Sequence, residues 1–584
     1  MGENYVLFDD ARAGAGMARL YRAPTREIVA RTLDEVRPAL ALLRAAVRNG
    51  AHAAGDLAFE AGQALDPKLI EGARVGRGPL LWFGLFDGFE LVEAAKLADP
   101  AGAFAGEVRP RISREAYLEA AAEVREGLFA GDFYQANLTF GCDVAVGGSP
   151  LALYARLREG SRAGWGGVLR HPDGALVSLS PEQFFTLRAG TLNARPMKGT
   201  AARNADPEKD RLAVTTLLAD PKQRAENLMI VDLLRNDLAR VAQPGSVAVP
   251  RLFAVESYPT VHQMISEVTA SLGPGLDAVD VIETIFPCGS ITGAPKIAVI
   301  EALRRLEPEP REAYTGSMGW IEPPTGDGPG DASFNVLIRT LELRDECPGI
   351  ARMGLGAGLV VDSEMGEEWS ECLLKGRFVT SARPNFDLIE TMRFDAEHGI
   401  AELDRHLDRL AEGAATFQFK FDRHGARNEL QAATFRRRDR AMVRLLLSAT
   451  GTMAIQVKRL ERADPSPVPV SIAPMLVASD DVRRHYKTTD RRFYDDPRRA
   501  NDSFETIFVD PDGHLTEGSF TNIFVERDGR LLTPPAARGL IPGILRGKLI
   551  DEGLAVEAEL TPDDLREGFF VGNILRGLMP ARLV

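Results

Sequence analysis

Three groups of residues have the types and spacing to do chemistry. The first is one amine. Lys198 sits in Arg195-Pro196-Met197-Lys198-Gly199-Thr200, a turn-like segment in which proline and glycine hold the backbone while the side chain reaches outward. Such a lysine is a surface charge when solvated and a nucleophile when desolvation strips its proton. The second group is a set of carboxylates. Glu226 begins an amphipathic stretch, with Leu228, Val231, Leu234, Leu238 and Val241 recurring at three- and four-residue steps. Glu368, Glu371 and Lys375 are spaced to share one face of another helix. That face reads either as a solvated, salt-bridged surface or, together with Glu226, as carboxylates converging on a hard Mg²⁺ ion. The third group lies downstream: Arg409 in Glu402-Leu-Asp-Arg-His406-Leu-Asp-Arg409-Leu, Lys487 in His485-Tyr-Lys487-Thr-Thr-Asp-Arg, and Glu517 in Leu515-Thr-Glu517-Gly-Ser-Phe-Thr-Asn522. Singly these are a helix-surface charge, a loop lysine and a turn residue. Their order along the chain is what joins them.

The elements that must position these groups are partly readable. Residues 26–48 carry Leu33, Val36, Leu40, Leu43 and Val47 at helical spacing, with Pro38 placed to start or kink a helix. Leu80-Leu-Trp-Phe-Gly-Leu-Phe reads as a buried strand. Ser113, with Glu115 behind it, opens a helix running to about Ala130; Gly131-Asp132 ends it before a strand at Phe133-Tyr-Gln-Ala-Asn-Leu-Thr-Phe. The pattern stops near Ser381-Ala-Arg-Pro-Asn385 and starts afresh with strand-like Phe386-Asp-Leu-Ile-Glu-Thr-Met-Arg-Phe. The expected organisation is a domain over 1–380, a linker over 381–386 and a domain over 387–584.

At 584 residues, 45% hydrophobic and 26% charged, the chain has the material for more than one sizeable core. A net charge of −13 and a pI near 5.4 argue against a nucleic-acid binder, which needs a basic face. Cys142, Cys288, Cys347 and Cys372 are too scattered for a zinc site or a disulfide framework. The N-terminus lacks a basic-then-apolar leader, and no run of about 18 apolar residues occurs, so the chain is expected to be cytoplasmic with no membrane partner.

Further segments join the first two groups: Glu182 in Leu-Ser-Pro-Glu-Gln-Phe-Phe, Gly289-Ser-Ile-Thr-Gly-Ala-Pro-Lys296, and Gly354-Leu-Gly356-Ala-Gly358. In this order the set resembles the chorismate-binding family, strongly over residues 110–380 and loosely before that. The resemblance implies a chorismate-binding α/β sandwich. Within the family, lysine in the Pro-x-Lys-Gly-Thr slot goes with members that make 4-amino-4-deoxychorismate, where anthranilate synthases carry alanine. It further implies that Lys198 attacks C2 of chorismate, that Glu182 protonates the departing C4 oxygen, and that ammonia then adds at C4 and expels the lysine. Gln135 stands where isochorismate- and salicylate-forming relatives carry a water-activating lysine, which argues against water as the nucleophile. By the same resemblance Glu226 and Glu371 are Mg²⁺ ligands, with Glu368 acting through water. His262, Thr292, Tyr314, Arg339, Gly356, Ala357, Gly358 and Lys375 become substrate-binding residues. Chorismate carries two carboxylates, which cations and closely approaching backbone amides suit.

Residues 386–584 resemble class IV pyridoxal-phosphate enzymes, a group that includes aminodeoxychorismate lyase and branched-chain and D-amino-acid aminotransferases. This implies a fold-type IV module. It assigns Arg409 to the phosphate of pyridoxal 5'-phosphate, Lys487 to bearing the cofactor, and Glu517 to the pyridine nitrogen. Ile544 and Leu545, at a helix start after Gly543, and Asn573 at another turn are assigned to the phosphate side. The family's usual opening strand and Asp-Arg-Gly segment are missing, so the first strand is either lost or supplied by the first domain. The fold class expected for the whole is mixed α/β (α+β). The expected function is bifunctional synthesis of 4-aminobenzoate: chorismate and ammonia to aminodeoxychorismate, then elimination of pyruvate. A second module that is an aminotransferase, or a degenerate scaffold, is the alternative. A Gly-x-Cys-x-Gly nucleophile elbow is lacking, so ammonia has to come from solution or from a separate glutamine amidotransferase subunit. Whether the chain works as a homodimer is left open.

Overall fold

The computed structural model describes residues 4–257, 261–326, 328–460 and 467–584. The chain divides into two compact units. One gathers Met1–Ala98, Val108–Val144 and Tyr154–Ser381; the other gathers Asp99–Glu107, Ala145–Leu153 and Ala382–Val584. Among the described residues, no helix is long and apolar enough to cross a membrane.

Two ten-stranded sheets run through the first unit. In one, Gln135–Gly147, Ile350–Leu359, Thr340–Arg344 and Gly174–Ser178 are successive neighbours; in the other, Met197–Ala202, Val261–Ser271, Thr191–Ala194, Gln183–Arg188 and Ala332–Asn335 follow one another. Pairings such as Gly174–Ser178 with Thr340–Arg344 and Met197–Ala202 with Val261–Ser271 are antiparallel. Helices cover apolar faces. Val36, Leu40 and Leu43 of Leu33–Arg48, and Ile230, Val231 and Leu234 of Pro221–Ala239, share one core with Phe83, Phe185, Leu192 and Phe334. Each such side chain contributes about 1.5–3 kcal/mol by leaving water. Phe185 and Phe334, paired across strands, stack at 5.2 Å.

Several local expectations hold. The Arg114–Ala130 helix has Ser113 at its N-cap, whose Oγ accepts from Ala116 N, and Gly131 at its C-cap with φ of 81°. Others need correcting. Residues Arg26–Ala30 form a strand, paired with Leu81–Phe86, and the helix begins only at Leu33, with Pro38 inside it. Tertiary pairing overrides the helical spacing there. The helix carrying Glu226 starts at Pro221, capped by Asp220, and Leu228 is 44% exposed. Lys198 stands in the strand Met197–Ala202, not in a turn, and Gly354–Gly358 lie within the strand Ile350–Leu359, not in a loop.

The second unit has a four-stranded antiparallel sheet, in which Leu388–Asp395, Ala441–Leu447 and Met453–Arg459 are neighbours. It also has an eight-stranded mixed sheet containing Val468–Pro474, Glu505–Val509, Leu515–Gly518, Asn522–Arg527 and Phe569–Asn573. Phe104 belongs to this unit's core: it packs with Leu388, Met392, Leu410 and Val482, its ring 4.7 Å from that of Phe417. Gln418 Oε1 accepts from Glu107 N at 2.7 Å. A segment nearly 300 positions upstream in sequence thus completes the core behind the second unit's first strand.

Candidate active sites

Composition explains Lys198's placement. The Met197–Ala202 strand pairs with Val261–Ser271, but the register slips between Met197 and Thr200. This is a bulge, a device that re-aims a side chain. Gly199 sits in it with φ of 95°, and a Cβ there would lie 3.1 Å from Gln223 Oε1. Asn227 pins the bulge: its Nδ2 donates to the Lys198 carbonyl at 3.3 Å, and its Oδ1 accepts from Ser266 Oγ at 2.6 Å. The Lys198 amine is thereby brought to Gly358, where a Cβ would lie 3.8 Å from Nζ and 2.6 Å from Gln135 Nε2. Along the same strand, a Cβ at Gly356 would meet Thr139 at 2.8 Å and one at Gly354 the Tyr314 ring at 2.0 Å. Period-two spacing puts these three glycines on one face, kept bare by neighbours that leave no room for side chains. Ala357 between them is buried on the other face.

Glu182 is a carboxyl under the influence of the same Lys198 amine. Ser290 Oγ donates to its Oε1 at 2.7 Å. Burial pushes the carboxyl up, against the opposing pull of Ser290, Lys198 and Lys375. A carboxyl so placed keeps its proton to higher pH than a free one, the direction a general acid needs. Arg339, expected to bind a substrate carboxylate, is a largely desolvated cation. Its backbone has φ of 51°, and among the described residues its guanidinium, which burial pulls below its usual range, makes no ion pair or side-chain hydrogen bond. A carboxylate is the natural partner for such a group.

The carboxylate trio is not a preformed cage. Glu371 pairs with Lys375 at 2.9 Å, Glu368 accepts from Ser363 Oγ at 2.7 Å, and Lys375 donates to the Gly356 carbonyl at 3.0 Å. Among the described residues the one group with ligand atoms within 4.8 Å of one another is Asp395, Glu397 and His398, in the second unit. Glu226, Glu368 and Glu371, expected to converge, do not bring their oxygens together in this way. Burial raises both Glu226 and Glu368, and repulsion from Glu371 adds to each. Carboxylates that raise one another in this way are suited to a cation that offsets their charge. The all-oxygen donor set suits Mg²⁺.

Two assigned substrate residues have partners within the protein. His262 is buried, with Nδ1 2.8 Å from Ser257 Oγ and Nε2 2.9 Å from Asp210 Oδ1, so this arrangement leaves neither ring nitrogen for a substrate. Thr292 Oγ1 donates to the Cys288 carbonyl at 2.5 Å, bracing the turn that aims Ser290 at Glu182. Sequence reasoning missed Asn227, Ser266 and Ser290. No local signal relates Ser290 to Glu182, which lies 108 positions away in the sequence.

In the second unit a cavity of about 450 Å³ is lined by Lys487, Arg409, His406, Glu517, Ile544 and Asn573, among others. Lys487 is held by its backbone: its carbonyl accepts from Ile389 N at 2.9 Å. The segment before it is fixed by buried Arg483, bound to Asp481 and Asp99 at 2.6 Å each and to Asp490 at 3.3 Å. Burial lowers the Lys487 amine to about 7, with Glu390 opposing and Arg409 and Arg491 reinforcing. An amine so placed gives up its proton far more readily than a solvated lysine. Glu517 is buried and pushed up to about 8 by desolvation; it accepts from Tyr494 and, at 3.2 Å, from Ile541 N. A desolvated carboxyl hydrogen-bonded only by neutral groups fits a protonated ring nitrogen.

Arg409 is more committed than expected. Its Nε and one terminal nitrogen grip Glu390 at 2.8 and 2.7 Å, and the other donates to the Pro542 carbonyl at 3.1 Å. His406 Nδ1 joins the same carboxylate at 2.6 Å. Of the guanidinium's five N–H groups, two remain for a phosphate. Ile544 lines the cavity at the start of the Ile544–Asp551 helix, whereas the Leu545 side chain packs against Gly572, leaving its backbone N–H as the relevant group. Asn573 spends its side chain on the Phe520 carbonyl at 3.1 Å and on Arg576 N at 3.0 Å; it shapes the turn.

Comparison with known proteins follows these two sites. The family described as chorismate binding enzyme matches residues 4–381, and amino-transferase class IV matches 387–584. The aminodeoxychorismate synthase component 1 of Klebsiella aerogenes is 43% identical over 263 residues, 45% of this chain and 56% of that protein. Its counterpart in Bacillus subtilis (strain 168) is 36% identical over 277 residues, 47% of this chain and 56% of that protein. The chain spans about half the length of the curated relatives it matches. The crystal structure of anthranilate synthase component I from Streptococcus pneumoniae TIGR4 superposes with a TM-score of 0.54 at 23% identity, covering 63% of this chain and 93% of that one, a likeness of fold.

Proposed function

This chain belongs to the chorismate binding enzyme family, and from that premise we propose that it makes 4-aminobenzoate in two stages, as an aminodeoxychorismate synthase joined to an aminodeoxychorismate lyase. The observation that carries the first stage is the juxtaposition of the Lys198 amine with Gln135 and the bare glycine face, beside a buried Glu182 held toward its acid form. Lys198 Nζ bonds to C2 of chorismate, the ring double bonds shift, and the C4–O bond breaks. Glu182 supplies the proton with which the oxygen leaves as water. Ammonia then bonds to C4, the shift reverses, and the C2–N bond to Lys198 breaks. Arg339 takes a substrate carboxylate. Glu226 and Glu371, with Glu368 through water, would hold Mg²⁺, which supplies positive charge for the other carboxylate. A glutamine amidotransferase subunit is the proposed source of ammonia.

For the second stage, the class IV match implies pyridoxal phosphate, which when bound supplies an electron sink. Glu517 would face its ring nitrogen. The remaining Arg409 donors, with the Ile544 and Leu545 amides, would take its phosphate. Lys487, near neutrality in this cavity, can both hold and pass a proton at Nζ while pyruvate leaves and the ring becomes aromatic.

The test is product analysis of the full chain with chorismate, Mg²⁺, ammonium salt and pyridoxal phosphate. Formation of 4-aminobenzoate and pyruvate supports the proposal. Anthranilate or salicylate overturns the first stage, and accumulation of aminodeoxychorismate overturns the second.

A further inference from the structure

We infer that Arg498 and Arg576 form a carboxylate-binding pair on the Phe520 wall of the second cavity, selecting a substrate that carries a second carboxylate. Both arginines line that cavity. The Arg498 guanidinium lies 5.2 Å from the Phe520 ring centroid; that of Arg576 lies 5.6 Å from the same ring and 5.9 Å from Phe504. Two cations converge on one aromatic ring. Stacking of this kind orients a guanidinium but leaves its N–H edge open to a ligand.

Neither cation has a carboxylate oxygen closer than 3.5 Å among the described ion pairs. The ion pair of Arg498 is with Asp495 at 3.5 Å, long for a charge-assisted hydrogen bond, and its Nε is buried without a partner. Among the described residues the Arg576 guanidinium makes ring contacts with Phe504 and Phe520 but no ion pair or side-chain hydrogen bond. Glu505, the acid that acts on it, directs its oxygens to Thr506 N, Ser519 N and Oγ, Phe520 N and Thr521 Oγ1. Asp495 is also shared with Arg491 at 4.0 Å. Two carboxylates, Asp495 and Glu505, stand against Arg491, Arg498 and Arg576, which leaves this wall with a surplus of positive charge. Such a surplus needs an anion to offset it.

The cofactor phosphate is the competing anion, but Arg409 and the Ile544–Asp551 helix start already provide for it. This inference rests on the proposed function, whose second-stage substrate carries one carboxylate on the ring and one on the side chain that leaves as pyruvate. A simple amino-acid substrate has no use for an added guanidinium pair.

The experiment uses the full chain loaded with pyridoxal phosphate, as wild type, Arg498→Gln, Arg576→Gln, the double variant, and Arg576→Lys. Pyruvate release from supplied 4-amino-4-deoxychorismate gives KM and kcat, and the visible absorbance of the bound cofactor gives its affinity. The expected result is a KM raised about tenfold by each glutamine and more by both, with kcat within about threefold and cofactor affinity unchanged. Arg576→Lys should fall between wild type and Arg576→Gln. An unchanged KM, or a cofactor affinity that falls with the substitutions, overturns the inference. Wild type that releases no pyruvate refutes the proposed second stage instead. The pair is then judged by calorimetric titration with 3-(carboxymethoxy)benzoate, a stable dicarboxylate. A binding event present in wild type and lost in the double variant sustains the inference, and identical titrations overturn it.

Discussion

Replacing Lys487 by methionine, in protein freed of cofactor, should stabilise the second unit, by an amount that depends on pH. Burial moves the amine from its ordinary 10.5 to about 7. Below pH 7 folded and unfolded chains are both protonated, and the folded one bears the full cost of a buried ammonium. Between pH 7 and 10.5 the folded amine is neutral while the unfolded one is still charged, so the cost shrinks by about 1.4 kcal/mol per pH unit; above 10.5 it is gone. Methionine has similar volume and no charge. The gain should therefore be on the order of 5 kcal/mol at pH 6 and on the order of 3 kcal/mol at pH 8.5. Tryptophan fluorescence is the wrong probe, because Trp82, Trp165, Trp320 and Trp369 all lie in the first unit. Hydrogen exchange in the Leu388–Asp395 and Ala441–Leu447 strands reports the second unit directly, with variant and wild type compared at each pH. A gain below about 1 kcal/mol at pH 6 would refute the reasoning, and so would an equal gain at both pH values, which would mark a packing effect.

Other perturbations separate the two stages. Lys198→Ala should abolish aminodeoxychorismate formation, and a chorismate analogue slowed at the second step should leave an adduct on Lys198 in wild-type peptide maps; an adduct elsewhere counts against the mechanism. Glu182→Gln removes the proton donor and should lower synthase turnover by about 10²–10⁴-fold, with the cofactor spectrum unchanged. Glu226→Gln and Glu371→Gln should each raise the Mg²⁺ concentration for half-maximal synthase activity, and normal magnesium dependence in both would make these carboxylates structural. With cofactor present, Lys487→Ala should consume chorismate at a near-normal rate yet stop at aminodeoxychorismate, with a separate lyase restoring 4-aminobenzoate.

What the sequence by itself determined is what depends on short-range pattern. Caps and periodicity specify the Arg114–Ala130 helix, whose signals at Ser113 and Gly131 lie within a few residues of the groups they satisfy. The α+β character, the two successive family resemblances and the proposed bond-making groups Lys198, Glu182 and Lys487 were likewise readable, because motif order needs no contact information. Tertiary structure decided the rest. The Lys198 segment resembles a turn because a bulge uses turn residues, but only pairing with Val261–Ser271 makes it a strand. Ser290 reaches Glu182 from 108 positions away, and Asn227 holds the Lys198 carbonyl from 29. His262 spends both ring nitrogens on Ser257 and Asp210, and Glu226 and Glu368 are each raised by burial and by Glu371. Phe104 joins the second unit's core, and Asp99 fixes Arg483 before Lys487, though both belong by sequence to the first domain. These are long-range choices, made by burial and charge acting between residues that no local spacing relates.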